Sequence, residues 1–175
     1  MKKIQRTLLL FLCGLMCIVF TACGKPKTSG TPDINKLFST AATITYGDFE
    51  AQAKVSRLGS DLWEVEFATP QTLAGVKLSY TGEDITASYL GLSFSIPKTA
   101  APVKSMLTMI FKAVDKSAVG VDMPCEEKDG VMIYSGTGDF GDFTLSMDQA
   151  TGNLVSFEMP KEDLIVQFAD FTPIQ

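Results

Sequence analysis

Four short stretches hold the side chains that could do chemistry, and each can be weighed by what surrounds it. Cys125 sits in "PCEEKDG", where Glu126 and Glu127 follow directly. Adjacent negative charge works against a thiolate, so the thiol reads as a spectator rather than a nucleophile. "GTGDFG", Gly136 to Gly141, satisfies G-x-G-x-x-G and contains D-F-G. A dinucleotide site needs a helix after the glycines, so that amides and the helix dipole face the pyrophosphate. Here the strand-like "DFTLSMD" follows directly, and Asp139 would repel a phosphate. Without the remaining kinase motifs, D-F-G has no magnesium partner; the glycines read as a turn. Asp139 with Asp142, and Glu126 with Glu127, are carboxylate pairs. Calcium needs about six oxygens in a D-x-D-x-D-G order, and glycoside hydrolysis needs its pair in a cleft. Both pairs read as solvated turn charges. The chain has no histidine, which removes Ser-His-Asp and Cys-His catalysis and the usual zinc cluster. The expectation is a non-enzyme with no cofactor and no metal.

A different chemistry is written at Cys23. Lys2, Lys3 and Arg6 precede an uncharged apolar run from Leu8 to Phe20. Its thirteen residues suit a secretion signal, which needs about 7–15, better than a membrane span, which needs about 20. "FTAC", Phe20 to Cys23, looks like a bacterial lipobox, in which small residues before the cysteine admit the signal peptidase. That resemblance implies that Cys23 takes a diacylglyceryl thioether and becomes the new N-terminus; the alternative is a cysteine that merely ends a signal. Residues 1–22 are then the signal peptide. Residues 23–33, with the Gly-, Pro-, Ser- and Thr-rich "GKPKTSGTPD", are the lipidated cysteine and a flexible tether. Residues 34–175 are one folded domain. The protein is expected to be exported and held by lipid on the extracytoplasmic face of a bacterial membrane. Two acyl chains at about 0.8 kcal/mol per buried methylene supply the anchorage.

Loss of Lys2, Lys3 and Arg6 takes the 15 basic side chains to 12 against 20 acidic ones, a net charge of −8. Such a domain has no basic stripe with which to displace counterions, which excludes nucleic acid as a partner. Cys13 and Cys17 leave with the signal and lipid caps Cys23, so no second cysteine is expected for a disulfide with Cys125. Stability must come from apolar burial rather than a disulfide.

The elements that bury it are legible as periods. Asp33 is placed to cap a short helix over "INKLFSTAATI", with Ile34, Leu37, Phe38 and Ala41 on one side. The period then becomes two. Phe49, Ala51, Ala53 and Val55 alternate with polar residues, followed by Trp63, Val65 and Phe67, then Leu78 and Tyr80, then Ile85 and Ala87, then Leu92 and Phe94. About five antiparallel strands with one buried face follow from this. "TAAPVKSMLTMIFKAVDKSA" sets Val103, Met106, Leu107, Ile110, Phe111 and Val114 at helical spacing, and Met109 widens the apolar surface. "VGVDMPCEEKDG" shows no period and reads as a loop. About four more strands close the chain, with Phe143, Leu145, Met147, Val155, Phe157, Met159, Leu164, Val166 and Phe168 expected inward.

A sheet this long must curl or cover something. The element order, "LWEVEF" in an early strand, and the closing "FTLSMDQATGNLVSFEM…LIVQFADF" resemble the LolA/LolB-like half-barrels, a family of lipoprotein carriers and receptors. The resemblance implies an α+β fold: a curled antiparallel sheet forming an incomplete β-barrel wrapped around a central helix, over an apolar cavity for acyl chains. It also implies a single arginine near that cavity; Arg57, the only arginine after Arg6, is expected on the solvent face instead. Trp63, Phe67, Leu78, Tyr80, Phe94, Met106, Ile110 and Phe111 are the candidate cavity lining, and equally a filled core. The expected function is a membrane-anchored binding lipoprotein whose partners are lipid or lipoprotein acyl chains. The alternative is an interaction protein with a filled core that docks another envelope protein.

Overall fold

The computed structural model describes residues 28–32, 34, 36–82, 84–95, 101–118, 122–138 and 141–174, and within the helix it describes side chains from Leu107 onward. Alternation sets the strands. In β3 (Phe49–Gly59) Ala51, Ala53 and Val55 are buried while Glu50, Gln52 and Lys54 are exposed. The same holds for Trp63, Val65 and Phe67 in β4 (Leu62–Thr69), Leu78 and Tyr80 in β5 (Lys77–Thr81), and Ile85 and Ala87 in β6 (Asp84–Tyr89). β2 (Phe38–Tyr46) precedes this meander and β7 (Leu92–Ser95) ends it. A second meander runs through β8 (Met123–Lys128), β9 (Val131–Gly138), β10 (Gly141–Asp148), β11 (Leu154–Met159) and β12 (Leu164–Pro173). With β1 (Thr28–Gly30) they form one open sheet of twelve strands, ordered β1-β8-β9-β10-β11-β12-β2-β3-β4-β5-β6-β7. Every neighbouring pair is antiparallel.

The join between the meanders is β12 against β2, with Val166 opposite Ile44 and Leu164 opposite Tyr46. It leaves β7 at one edge and β8 next to the other, shielded only by the three residues of β1. Helix α1 (Ala101–Ala118) lies in the connection from β7 to β8, which must therefore cross the width of the sheet. Pro102 is tolerated in its first turn, where an N–H has no intrahelical acceptor. Leu107, Ile110, Phe111 and Val114 are all buried, as are Met109 and Ala113, so the helix presents a broad apolar face to its neighbours. Each such large side chain contributes roughly 1.5–3 kcal/mol by leaving water.

Several expectations are corrected here. Of the helix expected over Ile34 to Ile44, the part from Phe38 onward is instead strand β2. Phe38, Thr40, Ala42 and Ile44 alternate inward, while Leu37 and Ala41, expected on the apolar side, are exposed. The segment satisfies both periods, and β-branched Thr40, Thr43, Ile44 and Thr45 favour the pleated one once β3 and β12 supply ladders. The aperiodic loop contains β8, with Met123 and Cys125 buried. Pro124 disguised it, but the pairing with β9 begins at Cys125, so the missing N–H falls opposite Ser29 of β1. Thr28–Gly30, expected within the tether, pairs with β8. Gly30 suits that place, since a Cβ there would lie 3.1 Å from Cys125 Sγ. Val155 is exposed and Leu154 buried, because a bulge between Ser146 and Met147 shifts the register of β10 against β11. The signal peptide and Cys23 lie outside the described residues.

Candidate functional site

Six of the eight apolar candidates converge. Trp63 of β4 and Tyr80 of β5 are opposite one another in register, and Phe111 of α1 lies against both. The Trp63 and Phe111 rings stack with centroids 4.7 Å apart and planes 14° apart; Tyr80 and Phe111 are 5.3 Å apart. Phe38 meets Trp63 edge-on at 5.8 Å. Phe67, Leu78 and Ile110 are buried in the same core. Aromatic rings at these separations are in contact, so this part of the interface between helix and sheet is packed rather than open.

Beside the rings lies a buried ion pair. Arg57 Nε donates to Asp115 Oδ1 at 2.9 Å, and Arg57 is only 3% exposed. The other carboxylate oxygen accepts from Trp63 Nε1 at 2.8 Å and from the Asp61 backbone N–H at 3.1 Å. Arg57 also donates to the Lys36 carbonyl at 3.2 Å, and its guanidinium carbon is 5.9 Å from the Trp63 ring centre. The expectation that Arg57 faces solvent is therefore overturned. It continues the inward row Ala51, Ala53, Val55, and its alternation with Ser56 was the available signal. A charge at an inward position becomes tolerable only when a counter-charge arrives, and Asp115 arrives from the helix. The network fastens the C-terminal half of α1 to β3 and β4.

Phe94 does not join the cluster. It is opposite Ala87, on the inward side of β7, yet is 58% exposed. Leu92, opposite Tyr89, is 71% exposed, and Leu90 in the intervening turn is 85% exposed. An apolar hairpin tip thus lies at the open edge of the sheet. The side chain of Met106 lies outside the described residues.

Open space lies on the other flank of α1. A cleft of about 590 Å³ has Met123, Gly136 and Phe143 among its apolar lining and Lys116, Asp122 and Asp142 among its polar lining. A recess of about 40 Å³ shares Lys116 and Phe143 with it and adds Met109, Lys112, Ala113 and Met159. Gly136 is opposite Phe143, and a Cβ there would stand 2.4 Å from the ring's Cζ; only glycine lets the ring lie across its backbone. That is the role of the first glycine in "GTGDFG": Gly136 and Gly138 belong to β9 and Gly141 opens β10. Asp142 accepts from Lys161 Nζ at 2.8 Å and from Thr137 Oγ1 at 2.9 Å. These bonds, Lys161's first, hold its carboxyl below the usual carboxylate range. Tyr134, opposite Cys125, has its phenol pushed up by burial and then by the neighbouring thiol. Cys125 itself is buried and forms no disulfide among the described residues. Glu127 accepts from the Gly130 N–H, a turn contact. No group of three or more metal-ligating side chains occurs among the described residues, and no helix there is long and apolar enough to cross a membrane.

No protein-family model and no curated protein matches the chain. Solved structures do. An uncharacterised conserved protein from Thermus thermophilus is 15% identical, with a TM-score of 0.49 over 82% of each chain. A LolA superfamily protein from Nitrosomonas europaea is 11% identical, with a TM-score of 0.41 over 81% of this chain and 88% of that one. A chain in the complex of the CwlD amidase and the GerS lipoprotein from Clostridioides difficile is 15% identical, with a TM-score of 0.41 over 82% and 85%. Identities this low and TM-scores below 0.5 bring no ligand, partner or activity to this chain. One of the three is a LolA superfamily protein, the family that the sequence resembles.

Proposed function

We propose that this is a lipid-anchored, non-enzymatic envelope protein that holds an acyl chain in the cleft between α1 and β8–β10. The observation that carries the reading is the cleft itself. Its volume of about 590 Å³ lies within the usual range for ligand sites, and Met123, Gly136 and Phe143 give it apolar lining. Met109, Met123 and Met159 lie in or beside it, and thioethers repack readily around chains of variable shape. The ligand place thus differs from the Trp63 side expected from the sequence, where the aromatic rings occupy the space. The test is native mass spectrometry of the full chain released from neutral detergent micelles. A retained mass of one acyl lipid is expected, lost in Gly136→Leu, whose side chain would displace Phe143 into the cleft. A parent protein that carries no lipid and takes none up sinks the reading.

A second reading has its own support. The hairpin of Tyr89, Leu90, Leu92 and Phe94 exposes contiguous apolar surface on an uncharged edge strand, the kind of feature that marks a protein contact. Under it, the hairpin docks another envelope protein while the core stays filled.

A further inference from the structure

We infer that the cleft selects amphiphiles with an anionic head, and that Lys112 and Lys116 are the head-group site. This rests on the acyl-binding reading and specifies the ligand class. The two lysines are four residues apart on α1, so they rise from one face of the helix a turn apart. Both line the recess whose other walls include Met109, Ala113, Phe143 and Met159, and Lys116 also lines the larger cleft. Two cations therefore stand where the apolar lining ends, which is the arrangement a carboxylate or phosphate on a single acyl chain would match.

The charges around them leave the pair available. Asp142 of β10 is held by Lys161 and Thr137. Asp122, before β8, accepts from Thr31 Oγ1 at 2.7 Å. Lys116 Nζ donates to the Thr137 carbonyl at 3.2 Å, a neutral acceptor that an anion would outcompete. Among the described residues neither Lys112 nor Lys116 forms an ion pair, whereas Arg57, Lys77 and Lys161 each do. Among the residues that line the cleft and the recess, Lys112 and Lys116 face Asp122 and Asp142, and both of those carboxylates already accept hydrogen bonds.

Three probes of one chain length test this: tetradecanoate, the lysophosphatidylglycerol of that acid, and its neutral monoglyceride. Each is titrated into the full chain in neutral micelles and its occupancy read by native mass spectrometry. At least one anionic probe is expected to bind about ten-fold tighter than the monoglyceride, and which one does so identifies carboxylate or phosphate as the head. In Lys112→Gln/Lys116→Gln that preference should vanish, the anionic probes binding no tighter than the monoglyceride does to the same variant. Lys54→Gln, on the outward face of β3, should leave it intact. Equal binding of all three probes by the parent, or a preference that survives the double substitution, overturns the inference while leaving the acyl-binding reading in place. Failure of every probe overturns that reading itself, and this inference with it.

Discussion

Asp115 is the residue on which most depends. Its two oxygens receive a guanidinium N–H, an indole N–H and a backbone N–H, from Arg57, Trp63 and Asp61. Buried ion pairs give little net stability over an apolar replacement, but removing one partner strands the other. Asp115→Ala should therefore lose about 3–5 kcal/mol in urea unfolding. The double change Arg57→Met/Asp115→Leu should recover most of the loss, because no charge is left buried. If Asp115→Ala alone unfolds like the parent, the carboxylate is not what fastens the helix. Gly136 and Phe143 illustrate the opposite case, in which the absence of a side chain positions a ring. Asp148 shows the local version: its carboxylate accepts from the Thr151 N–H and hydroxyl, both at 2.7 Å, which pins the β10–β11 turn and keeps its carboxyl below the usual range.

Among elements, the β6–β7 hairpin is the one whose sequence runs against its geometry. Leu90 and Gly91 both have positive φ, +49° and +82°, as a two-residue turn of the mirror-image type requires. Elsewhere among the described residues the non-glycine positions with positive φ are Asp61, Asp129, Asp163 and Asp170. An aspartate side chain has the oxygens to bond nearby backbone and a leucine has none, and the left-handed region costs a bulky residue about 1–2 kcal/mol. Leucine here is both strained and exposed to water. Leu90→Asn should raise stability by roughly 1 kcal/mol, measured by thermal melting, since asparagine tolerates that backbone. If the hairpin docks a partner, the same substitution should weaken pull-down of that partner while the fold grows more stable. A substitution that lowers stability would show that Leu90 is packed rather than presented.

At the scale of the whole molecule, the first and last long strands close on each other while the helix crosses to the far edge. β12 against β2 unites residues more than a hundred apart, with Thr40 Oγ1 reaching the Ala169 carbonyl at 2.6 Å. The first strand begins at Thr28 in β1, on the edge beside β8, five residues after Cys23. A lipid at Cys23 would hold that edge near the bilayer, since five residues span at most about 18 Å. Cys23→Ser should abolish membrane recovery on cell fractionation, or leave the signal uncleaved, with the folded domain's melting point unchanged. Signal-cleaved protein that still sediments with membranes would refute lipid attachment at Cys23.

What the sequence determined by itself was whatever depends on period and composition. Strict alternation in "AQAKV", "LWEVEF" and "FTLSM" forces one buried face whatever the partner strand, and Leu107, Ile110, Phe111 and Val114 can share a face only on a helix. Net acidity and the lack of histidine are likewise properties of the chain alone. Tertiary structure decided the cases in which two local readings were equally good or a residue waited on a distant partner. "INKLFSTAATI" satisfied both periods until β3 and β12 offered ladders on either side. "MPCEEK" became a strand because β9 pairs with it after the proline. Arg57 went inward because Asp115, 58 residues later, meets it there. The position of the open space was also undecided, because apolar side chains at the right spacing fill a core and line a cavity equally well. Phe111 fills the Trp63 flank with its ring, while Gly136 and Ala113 offer too little side chain to fill the other. Spacing along a chain gives the face a residue occupies; only the facing element sets how much room is left there.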